Sequence, residues 1–180
     1  MIIKQLPILL FVSIILFAFS CGTDSPDIEY PAKYISDGFE IESLNAFEYD
    51  GSTFNEIPLS LAEDPDYSGQ GSSLKELVLT SESQVTVTDG FETGMVSYEL
   101  KNNQIDFRAN GSQYVMDLTN DGNQLEVLIG RGGPYDGFNT SYASASCSDI
   151  NCNDYDELLY GSTIGEIQYF IVFKEKYKRQ

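Results

Sequence analysis

Apolar and polar side chains take turns along the middle of this chain. Val96, Tyr98 and Leu100 are separated by Ser97 and Glu99, which places the three on one face of a β-strand. The same period of two recurs at Val85/Val87, Ile105/Phe107, Tyr114/Met116/Leu118 and Leu125/Val127/Ile129. Asn102-Asn103, Asn110-Gly111 and Asp121-Gly122 separate these runs, and such dipeptides accept the positive φ angles of tight hairpin turns. Residues 84–130 therefore read as an antiparallel meander. Earlier strands are predicted from Phe39 onward, over 56–61 and over 75–80, and a last one over 167–173. The last is continuously apolar, which implies burial on both faces or closure of a sheet. Helical periodicity is weak throughout, and its best candidate is 154–160.

About eight or nine short strands joined mainly by hairpins predict an all-β fold, either an up-and-down barrel or a β-sandwich. Three stretches break the alternation. Residues 22–35 hold Pro26 and Pro31 among small and acidic side chains and read as a flexible tether. Residues 62–73 read as a loop, and 131–163 as a long excursion of the kind that carries function. The Gly-rich 130–134 inside that region reads as a flexible turn. The organisation expected is thus a signal segment over 1–20, a tether over 21–35 and one β domain over 36–180.

At the N-terminus the pattern changes. Residues 6–19 form an apolar run of fourteen after a single cation, Lys4, and Cys21 follows Ala18-Phe19-Ser20. A spanning helix needs roughly 20 apolar residues, so the run fits a secretory signal better. It resembles a bacterial lipoprotein signal, with Ala18 and Phe19 departing from the usual residues before the cysteine. The resemblance implies that Cys21 receives a diacylglyceryl group and becomes the mature N-terminus. Several acyl chains together anchor firmly, at about 0.8 kcal/mol per buried CH₂. Gly22 after the cysteine, in place of Asp, implies by the same resemblance the outer membrane, and Asp24, Asp27 and Glu29 are compatible with cell-surface display.

The strand succession over 75–130, with the closing strand, resembles the small lipocalin-like domains of bacterial lipoproteins. That resemblance implies a barrel whose interior holds a small apolar ligand, with Tyr98, Phe107, Tyr114 and Tyr169 as inward candidates. Ile171 and Phe173 belong to the same inward set, and all of these can equally fill the core. Such domains commonly plug the barrel floor with a Trp, and this chain has none.

Charge removes one class of partner. Without residues 1–20 the chain keeps nine Lys and Arg against 28 Asp and Glu, a formal charge of −19, so nucleic acid is not expected. Lys174, Lys176, Lys178 and Arg179 crowd the C-terminus, which reads as a solvated end.

Candidate chemistry is sparse. Cys147 and Cys152 are expected to form a disulfide in an oxidising compartment, stiffening the excursion. Asp149, Asn151, Asn153, Asp154 and Asp156, with Glu157, supply hard oxygen ligands, and Asp-x-Asn-x-Asn begins like a calcium loop. The loop then departs from that pattern, with Asp154 where Gly permits the bend and Tyr160 where Glu closes the shell. Calcium is the one cofactor the sequence brings into question. The chain has no His and carries no phosphate-binding loop or nucleophile elbow, so an enzyme is not expected. Two binding functions remain. One is a tethered barrel holding a small apolar molecule. The other is a structural or interaction module that presents the 131–163 excursion, with Tyr135, Phe138, Tyr142, Tyr155 and Tyr160, to a protein or glycan.

Overall fold

The computed structural model describes residues 26–62, 74–134, 143–156, 158–161 and 163–180. Ten strands form one antiparallel sheet: β1 (Ala32–Tyr49), β2 (Phe54–Ile57), β3 (Glu76–Ser81), β4 (Gln84–Thr88), β5 (Thr93–Lys101), β6 (Gln104–Ala109), β7 (Ser112–Thr119), β8 (Gln124–Pro134), β9 (Ala143–Ser146) and β10 (Ile167–Arg179). The order β1-β3-β4-β5-β6-β7-β8-β10 closes on itself because β10 pairs with both β8 and β1. This is an eight-stranded up-and-down barrel, with β2 and β9 added outside it, and the sandwich alternative is excluded.

The hairpins form where the sequence predicts them. Lys101 faces Gln104 across Asn102 (φ 52) and Asn103 (φ 61), and Ala109 faces Ser112 across Asn110 (φ 52) and Gly111 (φ 86). Both central residues of each turn are left-handed, the geometry whose twist matches the strands it joins. Alternation then fills the interior. Leu77, Leu79, Val85, Ile105, Met116 and Leu125 are at most 1% exposed.

Five expectations are corrected. Ala32–Ile35 pairs with β3 and Ile28 lies in the barrel core, so the stretch expected as tether over 21–35 is already part of the fold from Ile28 on. The strand expected over 56–61 stops at Ile57, where Pro58 lacks an N–H for the ladder, and Leu59–Leu61 is a single 3₁₀ turn. The 130–134 stretch is not a turn but the upper half of β8, paired with β10 on one side and β9 on the other. The described residues of 154–160 form a turn about Tyr155 rather than a helix: the Leu158 and Leu159 amides both donate to the Tyr155 carbonyl. The cationic C-terminus is likewise a strand. Lys174, Lys176 and Lys178 lie on the outer face of β10, while Glu175 and Tyr177 point inward and are 2% and 0% exposed.

One end of the barrel is closed by the chain that enters it. Ile28 packs into the core, and Tyr30 packs against the same cluster. Tyr98 OH donates to the Ser81 carbonyl at 2.9 Å and accepts from Tyr30 OH at 3.0 Å, while Tyr34 OH donates to the Gly122 carbonyl at 2.8 Å. Ile28 and Tyr30 thus fill this end of the barrel. Beyond the opposite end the sheet continues as β2-β1-β10-β8-β9 and is apolar on both faces. Ala46, Tyr169, Ile171 and Phe173 face one way; Phe47, Phe170 and Val172 face the other.

Candidate functional site

The four interior candidates are all buried: Tyr98 4%, Phe107 3%, Tyr114 8% and Tyr169 1% exposed. Phe107 stacks on Tyr114 with centroids 5.3 Å apart. Tyr98 joins them in the barrel core, whereas Tyr169 belongs to the separate cluster where the sheet runs past the barrel. Burial pushes the Tyr98 and Tyr114 phenols above their ordinary range. The neighbouring Tyr30 phenol adds to the shift at Tyr98, and the Glu175 carboxylate adds to it at Tyr114. A ligand cavity would leave its lining accessible to a water-sized sphere. Tyr34, Val85, Met116 and Tyr177 are at 0%, so these described side chains fill the interior against one another. Among the described residues Glu175 is the one buried acid on this inner layer, and Tyr177 OH donates to it at 3.1 Å. Continuing the alternation Phe173, Glu175, Tyr177 through the terminal cations would have revealed it.

The flank is built differently. Leu158 sits directly on β8 because two outward positions of that strand are glycines. A Cβ on Gly132 would meet the Leu158 carbonyl oxygen at 2.7 Å, and one on Gly130 would meet Cys152 Sγ at 3.0 Å. Leu158, Leu159 and Tyr155 then cover Phe47, Phe170 and Val172, with the Tyr155 and Phe47 rings 4.0 Å apart. Gln168, fully buried, fixes the end of the excursion: its amide donates to the Tyr160 carbonyl and its oxygen accepts the Tyr160 amide. The Cys147–Cys152 disulfide is present and closes the turn at the other end.

Just above the barrel seam this turn does structural work. β7 pairs with β8 only from Asp117 to Thr119, leaving the upper amides of β7 without a strand partner there. Ser148 Oγ accepts the Val115 amide at 3.0 Å, and Asp149 Oδ2 accepts the Gln113 amide at 2.8 Å. Arg108 lies 3.6 Å from the other Asp149 oxygen. The remaining calcium candidates are spread along the turn. Asn151 Oδ1 accepts the Asn153 amide and Asp154 Oδ1 accepts the Asp156 amide, each at 3.1 Å. The five are not brought to one centre: among the described residues no three acidic or thiol side chains converge.

Between the disulfide and β10 lies a groove of about 420 Å³, floored by Leu128, Val172, Ile150 and the disulfide and edged by Glu42 and Asn151. Lys174 is hydrogen-bonded to Glu42 beside it, which raises the lysine pKa, and Lys176 reaches Glu40 at 2.7 Å and holds that carboxyl below its usual range. This groove had no signal in the sequence, because it depends on β8 continuing through glycines. Of the five aromatic residues expected on the excursion, Tyr155 is half-buried on Phe47 and Tyr160 is exposed; Tyr135, Phe138 and Tyr142 lie outside the described residues, as does Cys21. Comparison with known proteins matches this chain to no family model, no curated protein and no solved structure, so its assignment rests on its own residues and geometry.

Proposed function

We propose that this chain is a lipid-anchored lipoprotein of the cell envelope, held at the outer membrane through Cys21. In this reading its barrel is a filled, non-catalytic scaffold that carries a docking flank for a protein or glycan. The observation that carries the choice between the two binding functions is the interior itself. Side chains at 0–1% exposure occupy the volume that an apolar ligand would need. The flank offers what the interior lacks, a groove with an apolar floor and a polar rim, stiffened by a disulfide and backed by a buried cluster. The signal-like segment and Cys21 support the anchor, and the closed eight-stranded barrel accords with the lipocalin-like rhythm of the strands.

The experiment is purification of the chain from cells that process its signal, followed by native mass spectrometry. The expected species carries acyl chains on Cys21 and no other small molecule. A stoichiometric apolar molecule released on unfolding would overturn the scaffold reading and restore the ligand-binding one. An unmodified Cys21 would overturn the anchor.

A further inference from the structure

The described chain begins at Pro26 on the closed end of the barrel, and that position fixes more than a point of entry. Pro26 lies against Gly122, Arg179 donates to the Glu29 carbonyl at 2.9 Å, and Tyr30 is tied to Tyr98. The turns at 82–83, 102–103 and 120–123 lie at this same end, as the pairing registers require. Five residue steps separate Cys21 from Pro26, and five steps of extended chain span at most about 18 Å. By contrast β8 has 11 residues. At about 3.3 Å each and a tilt of about 40°, that is roughly 28 Å of rise along the barrel axis.

Charge is distributed along the same axis. The spans at the closed end (26–31, 82–83, 101–104, 119–124 and 178–180) contain Asp27, Glu29, Glu82 and Asp121 against Lys101, Lys178 and Arg179, a net of −1, or −2 with Asp24 of the connection. The turns of the other end and the excursion (50–53, 89–92, 147–156 and 163–166) carry seven described acids and no cation. Including Lys75 and Arg108, which flank that end, still leaves −5. Screening confines such charges to about 8 Å at physiological ionic strength, so only the end nearest a bilayer feels its surface.

We infer that the barrel stands end-on at the membrane, its closed, nearly neutral end toward the lipid headgroups and its acidic end projecting away. This rests on the anchoring of Cys21 proposed above. The short connection holds the closed end within about 18 Å of the anchor, and the reverse orientation would both outrun that reach and press the acidic end onto anionic lipid. Phe91, 96% exposed on a turn that Asp89 pins through the Phe91 and Glu92 amides, is thereby carried to the far side together with the disulfide turn.

The chain contains no Trp, so one introduced indole reports alone. Ser83→Trp and Gln180→Trp place it at the closed end and Phe91→Trp at the far end, each in the acylated full-length product reconstituted into vesicles of phosphatidylcholine and phosphatidylglycerol containing a headgroup-spin-labelled lipid. Quenching several-fold stronger at either closed-end position than at residue 91 is the expected result. Two closed-end reporters guard against one variant failing to fold. In a chain whose Cys21 is acylated by mass, equal quenching at both ends, or none at either, would overturn the orientation and leave the anchor standing. An unmodified Cys21 would overturn the anchor, and the orientation with it.

Discussion

Replacing Gly132 by Ala tests whether the excursion is seated on β8 as described. The added Cβ would stand 2.7 Å from the Leu158 carbonyl oxygen and 2.8 Å from its carbon, both backbone atoms that cannot rotate aside. Overpacking of this kind costs roughly 1–3 kcal/mol where neighbours can yield. If they yield by letting 158–160 lift, the burial of Leu158 and Leu159 is lost as well, at about 1.5–3 kcal/mol each. The lost burial alone amounts to about 3–6 kcal/mol, a large share of a small domain's stability. Gly130→Ala meets only Cys152 Sγ and the ends of Ile150 and Leu158 at 3.0–3.2 Å, and is expected to cost less. Gly94→Ala has open space and no positive φ, and is expected to be neutral or to stabilise by about 0.5 kcal/mol through the unfolded state. Urea denaturation of a soluble Cys21→Ser form, with hydrogen exchange read at 147–160, gives both the total cost and its location. Should Gly132→Ala prove no more destabilising than Gly94→Ala, Leu158 does not rest on β8 and the groove is misdrawn.

Three further outcomes follow from the same geometry. Replacing both Cys147 and Cys152 by Ser removes a six-residue loop constraint worth about 2 kcal/mol, and exchange protection should fall first over 147–156; uniform loss across β3–β6 would refute a local role. Phe107→Ala removes one ring of the interior stack and should cost about 3–5 kcal/mol by denaturation, whereas a cost under about 1 kcal/mol would mean the interior is not filled. Tyr34, Tyr98 and Tyr114 all have phenols raised by burial, so the unfolded chain loses these protons near pH 10 while the folded one keeps them. Stability should hold below pH 10 and fall above it by up to about 1.4 kcal/mol per pH unit for each tyrosine, a slope that Tyr→Phe variants should lessen one at a time.

The meander was legible because burial on one face writes itself as alternation. Val96, Tyr98 and Leu100 are apolar where they face the core, and Ser97 and Glu99 are polar where they face water. The hairpins were legible because left-handed backbone selects Asn and Gly. The upper half of β8 was hidden for the opposite reason. Its outward positions 130 and 132 are glycine to admit Leu158, so a doubly buried strand reads as a turn. Ala32–Ile35 was hidden because only Ala32 and Tyr34 point inward, beside Pro31 and Lys33, while Ile35 faces out. The acidic turn after Cys147 looked like a cation loop because Asn and Asp serve both purposes. Here Asp149 caps β7, while Asn151 and Asp154 each bond the amide two residues on.

The flank and the barrel are coupled through Ser148 and Asp149. They receive the Gln113 and Val115 amides where the short β7–β8 ladder has ended, so the turn that borders the groove also closes the wall. Lifting the turn would leave two strand amides to water, since both bonds are exposed, at a net cost of about 0.5–1.5 kcal/mol each. Occupancy of the groove must therefore register as stability of the whole fold. A molecule bound there at 100 times its Kd would add about 2.7 kcal/mol to the unfolding free energy. In the Asp149→Ala, Ser148→Ala variant that transfer is interrupted, and the same occupancy should protect the turn while leaving the β3–β6 amides to exchange as in the unbound protein. Equal protection of both regions in that variant would show that the barrel closes without help from its flank.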